Sequence, residues 1–242
     1  MHCSLVVWGP IVCAMTYDLF IGDKAFSSWS LRGWLMLERF GLPYRAHLLG
    51  LYSGQLPLDL LPLAPARSVP VLKCADGALL TDSLAIAEEL ATRHPDLGYW
   101  PAAPLARARA RSMVAEMHAG FGALRQACPM QLFHQWVGYE PSESVQADLE
   151  RVETLVALAR AHTVDGPWLF GAYSLADVFY APLMARFAGY GLPASPELAR
   201  YRDLTLADPA FCAWRADGIA RRYDPFPYPQ PLPTAPWPDP MA

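Results

Sequence analysis

The sequence predicts a two-part chain, a small α/β layer followed by an all-helical region, and three observations point to it. Between residues 16 and 94, short apolar runs rich in β-branched and aromatic residues alternate with helical spacing. Residues 94–104, HPDLGYWPAAP, hold three prolines and a glycine and interrupt every periodicity. After that interruption no strand-like alternation returns. The expected organisation is an extension over 1–15, an α/β domain over 16–94, a linker over 95–104, a helical domain over 105–223 and a proline-rich tail over 224–242.

Each element has its own signal. Residues 16–21, TYDLFI, read as a short buried strand. FSSWSLR, residues 26–32, then forms a strand-to-helix turn, because Leu31, Trp34, Leu35 and Leu37 follow at mixed three- and four-residue spacings. Residues 44–49 supply the second strand, 70–74 the third and 78–80 the fourth. Asp76-Gly77 between the last two is a hairpin signal. A helix follows, with Leu84, Ala87, Leu90 and Ala91 on its inner face. One β-α-β unit, a hairpin and a terminal helix make a layered α/β domain. In the second part, residues 107–136 read as one long helix, and Val145, Leu149, Val152, Val156 and Ala159 mark the stripe of the next. Ser174 and Asp177 form an S-x-x-D capping box, with Tyr173 and Val178 as its hydrophobic staple. Pro182 falls inside that helix and should bend it. The tail is too proline-rich for a helix; it either packs through Phe226, Tyr228 and Trp237 or extends freely.

Composition narrows the function. At 242 residues and 53% hydrophobic, the chain can bury a sizeable core, and no apolar run reaches membrane-spanning length. A net charge of −4 offers no basic field for a nucleic-acid backbone. Five scattered cysteines without a C-x-x-C pair fit a reducing, cytoplasmic compartment rather than a disulfide framework or structural zinc. The six histidines lack metal-binding helical spacing, so no metal is expected. The apolar first fourteen residues lack a leading Lys or Arg, which favours an upstream extension over a signal peptide.

Three stretches in the α/β part bear on chemistry. In FSSWSLR one serine suffices to cap a helix, yet Ser27, Ser28 and Ser30 are all present. A helix start gathers free amides and positive dipole, a setting for an anion or an ionising thiol. In RSVPVL, proline stands at the entrance of an internal strand. Either it is an ordinary trans residue, or a cis Val69–Pro70 bond turns the Val69 backbone outward to pair with an extended peptide ligand. In TDSLAIAEEL, Asp82 and Ser83 open a helix, where a hydroxyl and amides suit a carboxylate and the acid suits an ammonium. On the helical side, His118, Phe121 and Arg125 share one helix face by spacing and are candidates for a second-substrate pocket.

Together with SLADVFYAP at residues 174–182, these stretches resemble the glutathione transferase family over residues 16–223. The resemblance implies a thioredoxin-like N-terminal domain that binds glutathione, an all-α C-terminal domain that forms most of the second-substrate pocket, and a homodimer. FSSWSLR is similar to the serine motif of zeta-like and related bacterial classes, whose first serine faces the thiol. Carried over, Ser27 is the thiol-activating residue, with Ser28 and Trp29 beside glutathione. Val69 and Pro70 are then the backbone clamp on the cysteinyl unit, and Asp82 and Ser83 the γ-glutamyl site. Ser28 is expected to serve as the helix cap or first-turn residue. Trp29 stands where the zeta class has a cysteine, which sets transfer to a small hydrophobic electrophile ahead of maleylacetoacetate-type isomerisation, with a non-catalytic glutathione-binding protein as a third reading.

Overall fold

The structure is a computed structural model and describes residues 16–161, 163, 165–221 and 226–238. The extension at residues 1–15 lies outside the described residues.

Strand β1 (Tyr17–Ile21) buries every second residue, and helix α1 (Ser28–Glu38) follows across the FSSWSLR turn. Strand β2 (Tyr44–Leu48) pairs parallel to β1, Leu19 opposite Ala46. A short helix α2 (Leu56–Asp59) interrupts the irregular stretch before strand β3 (Val71–Lys73), which runs antiparallel to β1 with Leu72 opposite Leu19. Strand β4 (Leu79–Leu80) closes the hairpin. Its turn is built by the Asp76 carboxylate accepting the Ala78 N–H at 3.0 Å and by Gly77 at φ 90, a conformation glycine adopts freely. The sheet order is β2-β1-β3-β4, and helix α3 (Ser83–Arg93) packs beside α1. Close approach between α1 and the sheet depends on Gly33, where a Cβ would stand 2.8 Å from Pro70 Cβ.

The helical part contains α4 (Pro104–Ala119), α5 (Gly122–Ala127), α6 (Glu143–Arg160), α7 (Leu175–Tyr190), α8 (Pro196–Leu206) and α9 (Pro209–Ala220). The single long helix expected over 107–136 is corrected. Gly120 ends α4 in extended backbone at φ −101, ψ −162, where a Cβ would meet the Glu116 carbonyl oxygen at 2.8 Å, and Phe121 takes a left-handed conformation at φ 58 before α5 begins. Residues His134–Trp136 form a strand, β5, paired antiparallel with β6 (Thr234–Pro236) from the tail. The helical part therefore carries a two-stranded ribbon that the sequence did not signal, because three-residue strands fall below any readable periodicity.

All sixteen residues of α7 are buried, and it packs on α1, α4 and α8. Its start is the expected capping box: Asp177 Oδ2 accepts the Ser174 N–H at 2.9 Å, while Oδ1 accepts the Leu169 N–H and the Tyr201 hydroxyl, both at 3.1 Å. Pro182 lies inside α7 as expected and supplies no amide to the ladder. Helix α9 holds the loop leading into α1, the Trp214 indole donating to the Lys24 carbonyl at 2.7 Å and Asp217 pairing with Lys24 at 2.6 Å.

Candidate active site

The β1–α1 turn is fixed before any ligand arrives. The Ser27 N–H bonds the Asp23 carbonyl at 2.9 Å, and the Asp23 carboxylate accepts the Ala25 N–H at 2.7 Å. Of the two places expected for Ser28, the structure gives it the first turn and not the cap. Ser27, not Ser28, is the N-cap of α1, with extended backbone at φ −85, ψ 96 and its Oγ accepting the Ser30 N–H at 3.2 Å. Its hydroxyl donates to Ser30 Oγ at 2.7 Å, and Ser30 Oγ in turn accepts the Gly22 N–H at 2.9 Å. Ser28 is the first helical residue, and its Oγ accepts from Arg186 Nη2 at 3.4 Å. The three serines thus divide the work: one caps, one ties the turn to β1, one meets a guanidinium from α7.

Both Ser27 and Ser28 border a cavity of about 360 Å³ between the sheet domain and the helices. Trp29, Val69 and Arg125, named from the sequence, also line it. The Val69–Pro70 bond is cis. Pro70 itself is packed against Gly33 rather than facing the cavity. Asp82 and Ser83 lie outside the cavity lining, at the start of α3. Asp82 Oδ1 caps that helix by accepting the Leu84 and Ala85 N–H groups, and Oδ2 stands 3.3 Å from His118 Nε2. Ser83 is fully buried with an unpartnered hydroxyl, whereas Asp82 is exposed.

The expected pocket face of His118, Phe121 and Arg125 is not a single face, because the helix breaks at Gly120 and Phe121, leaving His118 on α4 and Arg125 on α5. Arg125 reaches the cavity; His118 packs by Asp82 and Phe179, and Phe121 is buried in the core.

Three features of the site were not read from the sequence. Ser30 completes the hydroxyl chain behind Ser27. Arg186 is the only charged residue between Val178 and Tyr190, and a lone cation in so apolar a run was the available signal. Its guanidinium bonds the Cys128 carbonyl at 2.9 Å and the Pro182 carbonyl at 3.0 Å. Burial and the nearby Arg125 push its pKa down to about 10, which leaves it protonated at neutral pH. The third feature is the tail. Tyr228 lines the cavity and hydrogen-bonds Tyr52, while the Phe226 ring meets Phe26 edge-on at 5.4 Å and stacks on His134 at 5.8 Å. Trp237 takes Arg215 over its ring at 4.9 Å, so the tail packs through all three aromatic residues.

Comparisons with known proteins agree with this geometry. The family model for the glutathione S-transferase N-terminal domain matches residues 26–93. A maleylacetoacetate isomerase of Pseudomonas aeruginosa is 34% identical over 154 residues, covering 62% of this chain and 72% of that protein. A probable maleylacetoacetate isomerase of Caenorhabditis elegans is 31% identical over 198 residues, covering 80% and 90%. Among solved structures, the maleylacetoacetate isomerase of Anaeromyxobacter dehalogenans, with bound dicarboxyethyl glutathione and citrate, is 27% identical at a TM-score of 0.62, covering 85% of this chain and 96% of that one. A glutathione transferase homologue from Burkholderia with bound glutathione shares the fold at 24% identity, a TM-score of 0.62 and coverage of 85% and 98%. A thioredoxin-like sheet with a serine-capped α1 and a helical half built on a buried, capping-box helix, seen beside relatives aligned along most of their length, shows that this chain belongs to the glutathione transferase family.

Proposed function

We propose that this protein is a glutathione-dependent transferase that seats the glutathione thiol at the first turn of α1 and delivers the thiolate to a small electrophile in the adjoining cavity. The observation that carries this is the Ser27–Ser28 pair opening a helix N-terminus into a cavity of about 360 Å³.

A free thiol has a pKa of about 8.5, so at neutral pH only a few per cent is the reactive thiolate. The helix start supplies amides and positive dipole to hold the anion. Ser27 is the proposed hydroxyl donor. Its hydroxyl donates to Ser30, but a hydrogen bond between two hydroxyls can reverse. When Ser30 donates to Ser27 instead, the Ser27 proton is released toward sulfur while the Gly22 amide still bonds Ser30. Each link of such a chain polarises the next. With the thiolate formed, the sulfur attacks the electrophilic carbon and the leaving group departs with the bonding pair. Retention on a glutathione-affinity column, with elution by free glutathione, is the expected result; a chain that passes straight through leaves only a fold without the reaction.

Beside the cavity, the Val69 backbone is the proposed partner of the cysteinyl unit and Asp82 of the γ-glutamyl ammonium. These contacts are the same in ground and transition states, so Asp82→Ala should raise the KM for glutathione more than it lowers kcat. The variant also loses the α3 cap, at about 1 kcal/mol of stability. Calorimetric titration checks it: parent-like glutathione affinity would remove Asp82 from the site.

Glutathione-dependent isomerisation is the second reading, favoured by the names of the two curated relatives. It uses the same thiolate transiently, by addition and elimination. A panel of aryl halides, disulfides, peroxides and maleylacetoacetate separates the two. We expect turnover of at least one halide or disulfide, with weak isomerase activity; efficient maleylacetoacetate turnover would reverse that order. The family reading also implies a homodimer, testable as a solution mass twice the 26.7 kDa of the chain, and a cytoplasmic location, supported by the scattered cysteines.

A further inference from the structure

We propose that Trp29 sets the size of the electrophile, its indole standing as a fixed wall on the second-substrate side of the cavity and admitting a single small ring. This rests on the transferase reading and names a specificity-determining residue of that same site.

Helix α1 is a core helix. Nine of its eleven residues are buried, and the two that are not are Glu38 in its last turn and Trp29 in its first. A charged Glu38 belongs in water, but a part-exposed indole leaves a large apolar surface uncovered. That surface borders the cavity, where Trp29 is the largest side chain on the wall.

The ring is also clamped. The Arg32 guanidinium, three residues along the same helix, lies 5.1 Å from its centre, and the Arg125 guanidinium of α5 lies 4.7 Å from it. Arg32 is itself buried and lies over the Phe179 ring of α7 at 4.7 Å, while Arg125 bonds the Met117 carbonyl. The indole therefore ties the sheet domain to the helical part, and swinging it aside would undo two cation–π contacts. One of those contacts comes from the helical half, the half that the family reading gives to the second substrate. Asp82, the proposed γ-glutamyl partner, stands outside the cavity lining. Trp29 thus meets the incoming electrophile rather than the γ-glutamyl end of glutathione.

Room in the cavity is scarce. Pockets that enclose one small ligand span about 300–1,000 Å³, and this cavity of about 360 Å³ has to take the cysteinyl end of glutathione and the electrophile together. Met130, also on the wall, can adapt its unbranched chain to a ligand; the clamped indole does not yield in that way.

The test pairs 1-chloro-2,4-dinitrobenzene with 1-chloro-2,4-dinitronaphthalene, which adds one fused ring and keeps the leaving group. In both, the glutathione sulfur bonds to the chlorine-bearing carbon, the C–Cl bond breaks, chloride leaves with the pair, and the thiol proton goes to solvent. Each kcat/KM is divided by the uncatalysed rate constant with glutathione, and calorimetry compares the two S-aryl glutathione conjugates. The parent should prefer the smaller ring by roughly 10- to 100-fold in both measurements, the scale of displacing a ring held by two cation–π contacts. Trp29→Ala should collapse that ratio toward one, and Trp29→Phe should keep part of it. Glutathione affinity should stay close to that of the parent in both variants. General loosening of the site would lower both rates alike and leave the ratio where it was. If Trp29→Ala fails to fold, Trp29→Leu makes the same comparison with an apolar side chain kept in place. A parent without preference, or a folded Trp29 variant that loses glutathione affinity and keeps the preference, overturns the proposal and leaves glutathione transfer standing. A parent that turns over neither halide is judged on the two conjugates; failure to bind glutathione or either conjugate overturns the transferase reading, and the proposal with it.

Discussion

Ser27→Ala is expected to lower the kcat of glutathione transfer by roughly ten- to a thousand-fold, the cost of removing one donor from a resident or developing anion. The same change should lower stability by about 1 kcal/mol, because the oxygen that would face sulfur also caps α1. This coupling follows from the structure. From sequence, chemistry was assigned to Ser27 and a cap or first-turn place to Ser28; the fold puts the cap on Ser27 and Ser28 in the first turn, so activity and melting temperature should fall together in one variant. Ser28→Ala removes the Arg186 contact and leaves the cap in place. Ser30→Ala is the control for the hydroxyl chain: it keeps the Ser27 proton available but removes the oxygen that orients it, and its loss of kcat should be smaller than that of Ser27→Ala. The check is a pH titration of thiolate absorbance with bound glutathione, beside melting curves. A thiol pKa that rises in Ser28→Ala and stays put in Ser27→Ala would transfer the donor role to Ser28.

The largest loss of stability is expected from Asp177→Ala, far from the cavity opening. Asp177 is completely buried, and its two oxygens accept the Ser174 and Leu169 amides, the Ser174 hydroxyl at 3.2 Å and the Tyr201 hydroxyl. Truncation strands buried donors from three residues at the start of the helix on which α1, α4 and α8 pack. A cost of about 3–5 kcal/mol is expected. Denaturant unfolding measures it, and a loss below about 1 kcal/mol would mean that the capping box is incidental to the fold.

Asp177 also gives stability a pH dependence of unusual sign for a carboxylate. Burial raises its pKa to about 6, against the ordinary value of 3.8, despite the hydrogen bonds that lower it. Between those two values the folded protein binds more protons than the unfolded chain, so this group's contribution to stability falls as pH rises through that window and is level above it. The change is on the order of 2 to 3 kcal/mol. Asp177→Asn cannot titrate, and subtracting its pH–stability profile from that of the parent should expose the slope.

Much of the architecture was legible in the sequence because its signals are local. The strand at residues 16–21, the Asp76-Gly77 hairpin and the S-x-x-D box each depend on side-chain alternation, a backbone conformation or a four-residue contact, and the structure contains all three. Serines at a helix start were equally plain. What a serine does there was not, because it depends on where the neighbouring groups stand: the Ser27 oxygen caps by accepting the Ser30 N–H at 3.2 Å, while its proton goes to Ser30 Oγ at 2.7 Å. The same limit explains the second-substrate side. Helical spacing put His118, Phe121 and Arg125 on one face, and a left-handed Phe121 separated them. Arg186 stands 158 residues from Ser28, and Tyr228 lies 176 residues from its partner Tyr52. By itself the sequence determined the two-part fold, the family and the serine-bearing turn, since these are written in nearest-neighbour chemistry. Only the tertiary structure decided which hydroxyl caps, which guanidinium groups face the cavity and that the tail helps to wall it, because burial and the pairing of distant charges exist only once the chain has closed on itself.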